Sequence, residues 1–214
     1  MAAQSARGLF RATGNTSNVE LKREENDFYP TPPEPTRAFL AAEYPRLKSF
    51  NKIWEPAAGD GAMVRELRNC GFEVVASDLI DRGCGAVIRN YYDFKTAPAK
   101  AMFTNPPYTE CNWRDGKGGW IAHALENLKL EYMALLLSWN WPGAGGLAEL
   151  YAKYPPARVY LMRWKIDFTG QGAPPMLNAW FVWDTKWQGE TALRMLDRRM
   201  DFRQPSLLDD EALI

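Results

Sequence analysis

The sequence predicts an α/β fold, a single doubly wound, mostly parallel sheet with helices on both faces, closed by an antiparallel hairpin. Three observations predict it. Between residues 37 and 154 short apolar runs alternate with amphipathic stretches, the pattern of repeated strand–helix units. The last two apolar runs, "ARVYLMRWKIDF" and "NAWFVWDT", are separated only by the turn-rich "TGQGAPPML", the mark of a hairpin. The length of 214 residues suits one well-buried core and is short for two.

Taken in order, residues 1–27 are polar and charged and read as an arm. The segment "DFYPTPPEPT" carries four prolines and is expected to run extended until Thr36 caps a helix over "RAFLAAEYPRL". "KIWE", "FEVVASDL", "AVIRNYYDF", "KAMFT" and "YMALLLSWN" are the expected strands. "GAMVRELRNC", "GWIAHALENLK" and "GLAELYAKY" are the expected helices. The main domain is placed at residues 28–188. A C-terminal helix over "TALRMLDRRMDFR" and a tail then fill 189–214.

Composition excludes several classes of function. Lys and Arg total 26 and so do Asp and Glu, so overall charge announces neither a nucleic-acid nor a membrane partner, and any basic surface is local. Cys70, Cys84 and Cys111 show no metal-ligand spacing, and His123 is the sole histidine. Neither a disulfide framework nor a metal site is expected. No segment has the length and apolarity of a signal peptide or a membrane span, which makes the expected location cytoplasmic.

In an open α/β sheet, ligands bind beyond the carboxyl ends of the strands, and three loops there carry unusual chemistry. In "EPAAGDG", Glu55 ends a strand while Gly59 and Gly61 permit positive φ and close backbone approach before a helix. A tight turn with no ligand has the same signature. Asp78 ends the next strand, where an acidic residue can hold ribose hydroxyls or simply cap a helix. In "YYDF", Asp93 and Phe94 end the third strand-like run, and a carboxylate beside a ring suits an adenine. Equally, they suit a solvated Asp and a core Phe.

The third loop is "NPPY". Asn105 and Pro106 each precede a proline and are held extended, so the loop is stiff. With no N–H on either proline, the loop offers acceptors: the Asn105 side-chain oxygen and the Pro106 carbonyl. Two such acceptors match the two hydrogens of an exocyclic amine or amide, and Tyr108 is placed to stack on the flat group that carries it. Nitrogen held this way directs its lone pair out of plane, toward an electrophilic methyl carbon.

"EPAAGDG", Asp78, Asp93 and "NPPY" together resemble the class I S-adenosylmethionine-dependent methyltransferases, specifically the DNA N6-adenine methyltransferases of small phage or prophage type. "YPTP" resembles that family's segment at the methionine end of the cofactor, and the order of segments resembles the gamma-type arrangement. The resemblance implies a Rossmann-like fold, S-adenosylmethionine as cofactor, and DNA with a flipped adenine as partner. It implies that Glu55, Ala57, Gly59, Asp60 and Gly61 hold the methionine moiety, with Tyr29, Thr31 and Pro32 against the same end. Asp78 would take the ribose, Asp93 and Phe94 the cofactor adenine, and Asn105, Pro106, Pro107 and Tyr108 the target base, with Asn105 also near the cofactor.

One departure is the lack of a target-recognition domain like that of restriction-type members. "TECNWRDGKGGW", with Trp113, Arg114 and Lys117, and "SWNWPGAGG" are the candidate DNA-facing loops. Arg194, Arg198 and Arg199 would lie on that C-terminal helix, and Arg194 and Arg198, four apart, would share a basic face able to meet a phosphate backbone. Gln204 to Leu208 resembles the short peptides that dock bacterial DNA-processing enzymes on the sliding clamp, with Leu207 and Leu208 as apolar anchors. Release-factor glutamine and ribosomal-RNA guanine methyltransferases use a similar loop and remain an alternative. A nicotinamide-dependent oxidoreductase leaves NPPY unexplained. A non-catalytic nucleic-acid module accounts for the aromatic residues alone.

Overall fold

The computed structural model describes residues 28–112, 117–168, 170 and 176–198. Its centre is an eight-stranded sheet. The chain enters it through helix α1 (Pro33–Leu47), then alternates β1 (Lys52–Glu55), α2 (Ala62–Asn69), β2 (Glu73–Asp78), β3 (Val87–Ile88) and β4 (Ala101–Thr104). After the short α3 (Tyr108–Cys111) and α4 (Gly119–Ala122) come β5 (Tyr132–Ser138), α5 (Ala148–Lys153), β6 (Arg158–Met162), β7 (Asn178–Asp184) and β8 (Ala192–Leu196). α4 runs on into a π-helical turn, His123–Asn127.

The strand order is β3-β2-β1-β4-β5-β7-β6-β8. β1 pairs in parallel with β2 and β4, β2 with β3, and β4 with β5. β7 is antiparallel to both β5 and β6, so the expected hairpin closes the sheet by inserting its second strand beside β5. The order reverses direction between β1 and β4, which opens a crevice beyond their carboxyl ends.

Strand alternation divides the core into two layers. Tyr132, Ala134 and Leu136 of β5 join Trp180 and Val182 of β7 on one face. Met133, Leu135 and Leu137 join Ala179, Phe181 and Trp183 on the other. α1 covers the first face, where Phe39 packs against Trp180 at 4.7 Å and Phe103 at 5.5 Å between ring centroids. α1 is further tied down by buried Glu43, whose carboxylate accepts from Arg158 at 2.7 and 2.9 Å and from the hydroxyls of Tyr132 and Tyr160.

Three expectations need correction. The first helix starts at Pro33, not after Thr36. Pro33 and Pro35 fall in its first turn, where an N–H has no helical partner and its loss costs nothing. Thr36 is therefore inside the helix, 1% exposed, and caps nothing. Second, the third strand ends at Ile88, and the chain then turns through a 3₁₀ turn, Tyr91–Asp93, capped by Asn90 accepting from the Tyr92 N–H at 2.9 Å.

Third, Ala192–Leu196 is strand β8 and not a helix, lying parallel to β6. The open edge of β6 offers a full ladder of backbone partners, which outweighs the local helical preference of Leu, Arg and Met. The expected basic helix face is consequently absent. Arg194 reaches the Tyr160 hydroxyl at 3.1 Å and Arg198 pairs with Glu34 at 2.8 Å, while Arg199 lies outside the described residues.

Candidate functional site

The crevice beyond β1 and β4 is a single cleft built by the loops expected to carry chemistry. Tyr29, Thr31, Glu55, Ala57, Gly59 and Asp60 line one side, and Asp78, Asn105 and Pro107 complete that part. The loop after β1 needs its glycines. Gly59 has φ +55° and Gly61 +81°, in the left-handed region that favours glycine. A Cβ at Gly59 would also stand 2.8 Å from Cε2 of Phe28, whose ring lies over the loop.

Glu55 is the floor of the cleft. It is 1% exposed. Its Oε1 accepts from the Thr104 hydroxyl at 2.6 Å and the Ala57 N–H at 3.1 Å, while Oε2 has no partner. Burial pushes its carboxyl up to about 8, against the smaller opposing effect of those two hydrogen bonds. An unpartnered, enclosed acceptor of this kind fits a cationic or N–H ligand group.

Asp78 has more partners. Its Oδ2 accepts from the Gly59 N–H at 2.7 Å, and its Oδ1 from the Ile80 N–H at 2.9 Å and Arg82 at 3.1 Å. A carboxylate has about four lone-pair sites, so one remains for a ligand hydroxyl. Arg82 in turn lies 4.1 Å from the centre of the Phe28 ring. Asp60, half-exposed at the rim, accepts from the Ala62 N–H at 3.0 Å.

The NPPY loop meets this floor at Asn105. Its Nδ2 donates to the Thr31 hydroxyl at 3.1 Å, which fixes the amide and leaves buried Oδ1 without a partner. Thr31 comes from the "YPTP" segment and Asn105 from the end of β4, so two motifs 74 residues apart converge on one side chain. Pro107, in extended conformation, hands the chain to α3. Tyr108 begins that helix, half-buried, its hydroxyl accepting from Asn178 at 2.9 Å. Pro32, Gly61, Pro106 and Tyr108 flank the cleft without lining it.

Asp93 and Phe94 also lie off the cleft. Phe94 is buried against Trp54 at 4.9 Å, Asp93 is exposed, and Arg89 binds the Asp93 carbonyl at 2.8 Å. The 3₁₀ turn presents Asn90, Tyr91 and Tyr92 to the cleft in their place. Trp120 of α4 closes that end, stacked on Tyr91 at 3.8 Å and 11°, with its indole N–H unpartnered. Tyr92 donates to Glu110 at 2.7 Å. Sequence reasoning missed these residues, although the paired tyrosines beside Asp93 were a visible signal. Trp120 had none, because its approach depends on how α4 packs.

Of the two candidate DNA-facing loops, Trp113 and Arg114 lie outside the described residues and Lys117 is exposed. In the other, Trp141 is core, its indole N–H donating to the Cys111 carbonyl at 2.9 Å, Trp139 is half-buried against the same core, and Asn140, Gly143, Gly145 and Gly146 are exposed. His123 packs edge-on to Tyr91 at 5.0 Å, and burial lowers its pKa. Among the described residues no group of three or more His, Cys, Asp or Glu could hold a metal, and no helix is long and apolar enough to cross a membrane.

No protein-family model matches the chain, and comparison with curated proteins finds no match. Solved structures do resemble it. A Listeria monocytogenes protein assigned to the class I S-adenosylmethionine-dependent methyltransferases superposes with a TM-score of 0.54 at 14% identity, over 96% of this chain and 75% of that one. A Pyrococcus horikoshii protein assigned as an RNA methyltransferase gives 0.59 at 12% identity, over 84% of this chain and 98% of its own. At such identities the likeness establishes the fold: the sheet is that of the Rossmann-like class I methyltransferases.

Proposed function

We propose that the protein transfers a methyl group from S-adenosylmethionine to the exocyclic N6 of adenine in DNA. The observation that carries this is Asn105, its amide fixed by Thr31 and its buried Oδ1 left as an unsatisfied acceptor at the cleft. A buried acceptor without a donor costs about 1–3 kcal/mol, which an incoming N–H offsets. The cofactor fits the other end. The unpartnered Glu55 Oε2 would take its ammonium, Gly59 would allow close backbone approach, and the remaining lone pair of Asp78 would accept from a ribose hydroxyl. Asn90, Tyr91, Tyr92 and Trp120, which line the far end of the cleft, would hold its adenine.

When bound, the cofactor supplies an electrophilic methyl carbon on a sulfonium. Asn105 Oδ1 and the Pro106 carbonyl accept the two amino hydrogens of the target and orient the nitrogen lone pair toward that carbon. Transfer would join nitrogen to that carbon as the carbon leaves sulfur, and the proton lost from nitrogen would pass to water, so no strong base is required. An adenine in a duplex cannot reach the cleft, so it is flipped or already single-stranded, and stacking on Tyr108 returns about 1–3 kcal/mol of that cost.

Offering DNA, RNA and a glutamine-bearing release factor side by side tests the assignment. DNA adenine should be methylated, and Asn105→Ala should lower transfer at least a hundredfold with cofactor affinity within threefold of wild type. Methylation of RNA or of the protein substrate alone would replace DNA as the substrate, and wild-type activity in Asn105→Ala removes the catalytic assignment.

A further inference from the structure

Asn178 opens β7 opposite Ser138 of β5 and is 0% exposed. The five residues after it, Ala179 to Trp183, are all buried and apolar, as a central strand requires. An amide at this place is costly. Its Nδ2 donates to the Tyr108 hydroxyl at 2.9 Å, across 70 residues of sequence, while its Oδ1 is buried without a partner. One unsatisfied buried acceptor costs about as much as one good hydrogen bond stabilises. Stability alone therefore favours an apolar residue here, and the amide is explained by what it holds.

What it holds is the tyrosine of the NPPY loop. The prolines stiffen the backbone of that loop, but a tyrosine ring still turns about two side-chain bonds. Thr31 settles the corresponding freedom of Asn105. We infer that Asn178 is a positioning residue: through the Tyr108 hydroxyl it sets the plane of the ring on which the flat substrate stacks. This rests on the proposed reaction, and it adds β7 to the elements that prepare the target-base side of the cleft. A ring held at one angle before substrate arrives loses no freedom on binding, so the contribution is to orientation.

Tyr108→Phe keeps the ring and removes only the hydroxyl, and Asn178→Ala removes the donor. Each variant should slow single-turnover methyl transfer about tenfold at saturating cofactor, with unchanged cofactor affinity, and the double variant should be no slower than either. A double variant slowed about a hundredfold means that the residues act independently, which overturns the inference. So does a wild-type rate in Tyr108→Phe, and this variant decides the matter even where Asn178→Ala fails to fold. A second readout needs no substrate. With 3-fluorotyrosine at position 108, Asn178→Ala should shift the fluorine resonance, and an unchanged spectrum refutes the contact. If the wild type leaves DNA adenine unmethylated, the proposed reaction falls, while the fluorine spectrum still supports or refutes the coupling.

Discussion

Glu55 ends β1 fully enclosed, with one carboxylate oxygen saturated and the other waiting for a donor. Burial raises its pKa from about 4.5 to about 8, so between these values the folded protein binds a proton that the unfolded chain has lost. The stability this contributes is fully present below about 4.5 and is lost as pH rises through about 8. Urea midpoints of the ligand-free protein should therefore fall between pH 5 and 8.5, with a smaller fall in Glu55→Gln. Identical slopes in the two proteins would remove Glu55 from the explanation. Binding a cationic cofactor favours the ionised carboxylate, so calorimetry at pH 7 in buffers of different ionisation heat should show proton release, absent in Glu55→Gln. No release in the wild type means that Glu55 does not meet the ammonium. At this scale the sequence showed the residue types but not their partners: Asn105 was visible, whereas its bond to Thr31 exists only because α1 packs beside β4.

Elements differ in how far their neighbours decide them. The runs Tyr132–Leu137 of β5 and Ala179–Trp183 of β7 are apolar and read correctly, because a strand buried on both faces leaves little choice of residue. β8 did not, because Thr191–Leu196 has no pattern of its own to set against the demand of an open sheet edge. The attachment of α1 is likewise tertiary. Arg158 and Glu43 have side chains 5% and 3% exposed, so Arg158→Met strands a buried carboxylate and should cost about 3–5 kcal/mol in equilibrium unfolding. The exposed pair Lys52–Glu73, at 2.8 Å, is screened by solvent, and Glu73→Gln should cost less than about 1 kcal/mol. Equal losses in the two variants would mean that burial does not separate them.

For the whole molecule, the proposed activity raises the matter of how the protein would be brought to DNA. The peptide Gln204–Leu208 lies outside the described residues, and its proposed docking on a sliding clamp would raise the local DNA concentration with no added DNA contact. Titrating purified clamp with the intact chain and with the Leu207→Ala, Leu208→Ala variant checks it. Binding that disappears in the variant is expected, and equal binding or none ends the idea. Sequence by itself determined the fold class, the glycine loop, the acidic residue that ends β2 and the NPPY loop, because each is written in neighbouring residues whose backbone preferences or apolar spacing are local. Tertiary structure alone decided that Asp93 and Phe94 turn away while Tyr91, Tyr92 and Trp120 face the cleft, that Arg82 engages Asp78, and that Thr31 and Asn178 hydrogen-bond Asn105 and Tyr108 of the loop. These contacts join residues up to 74 positions apart, or hang on the angle of a single turn, and no local preference specifies them.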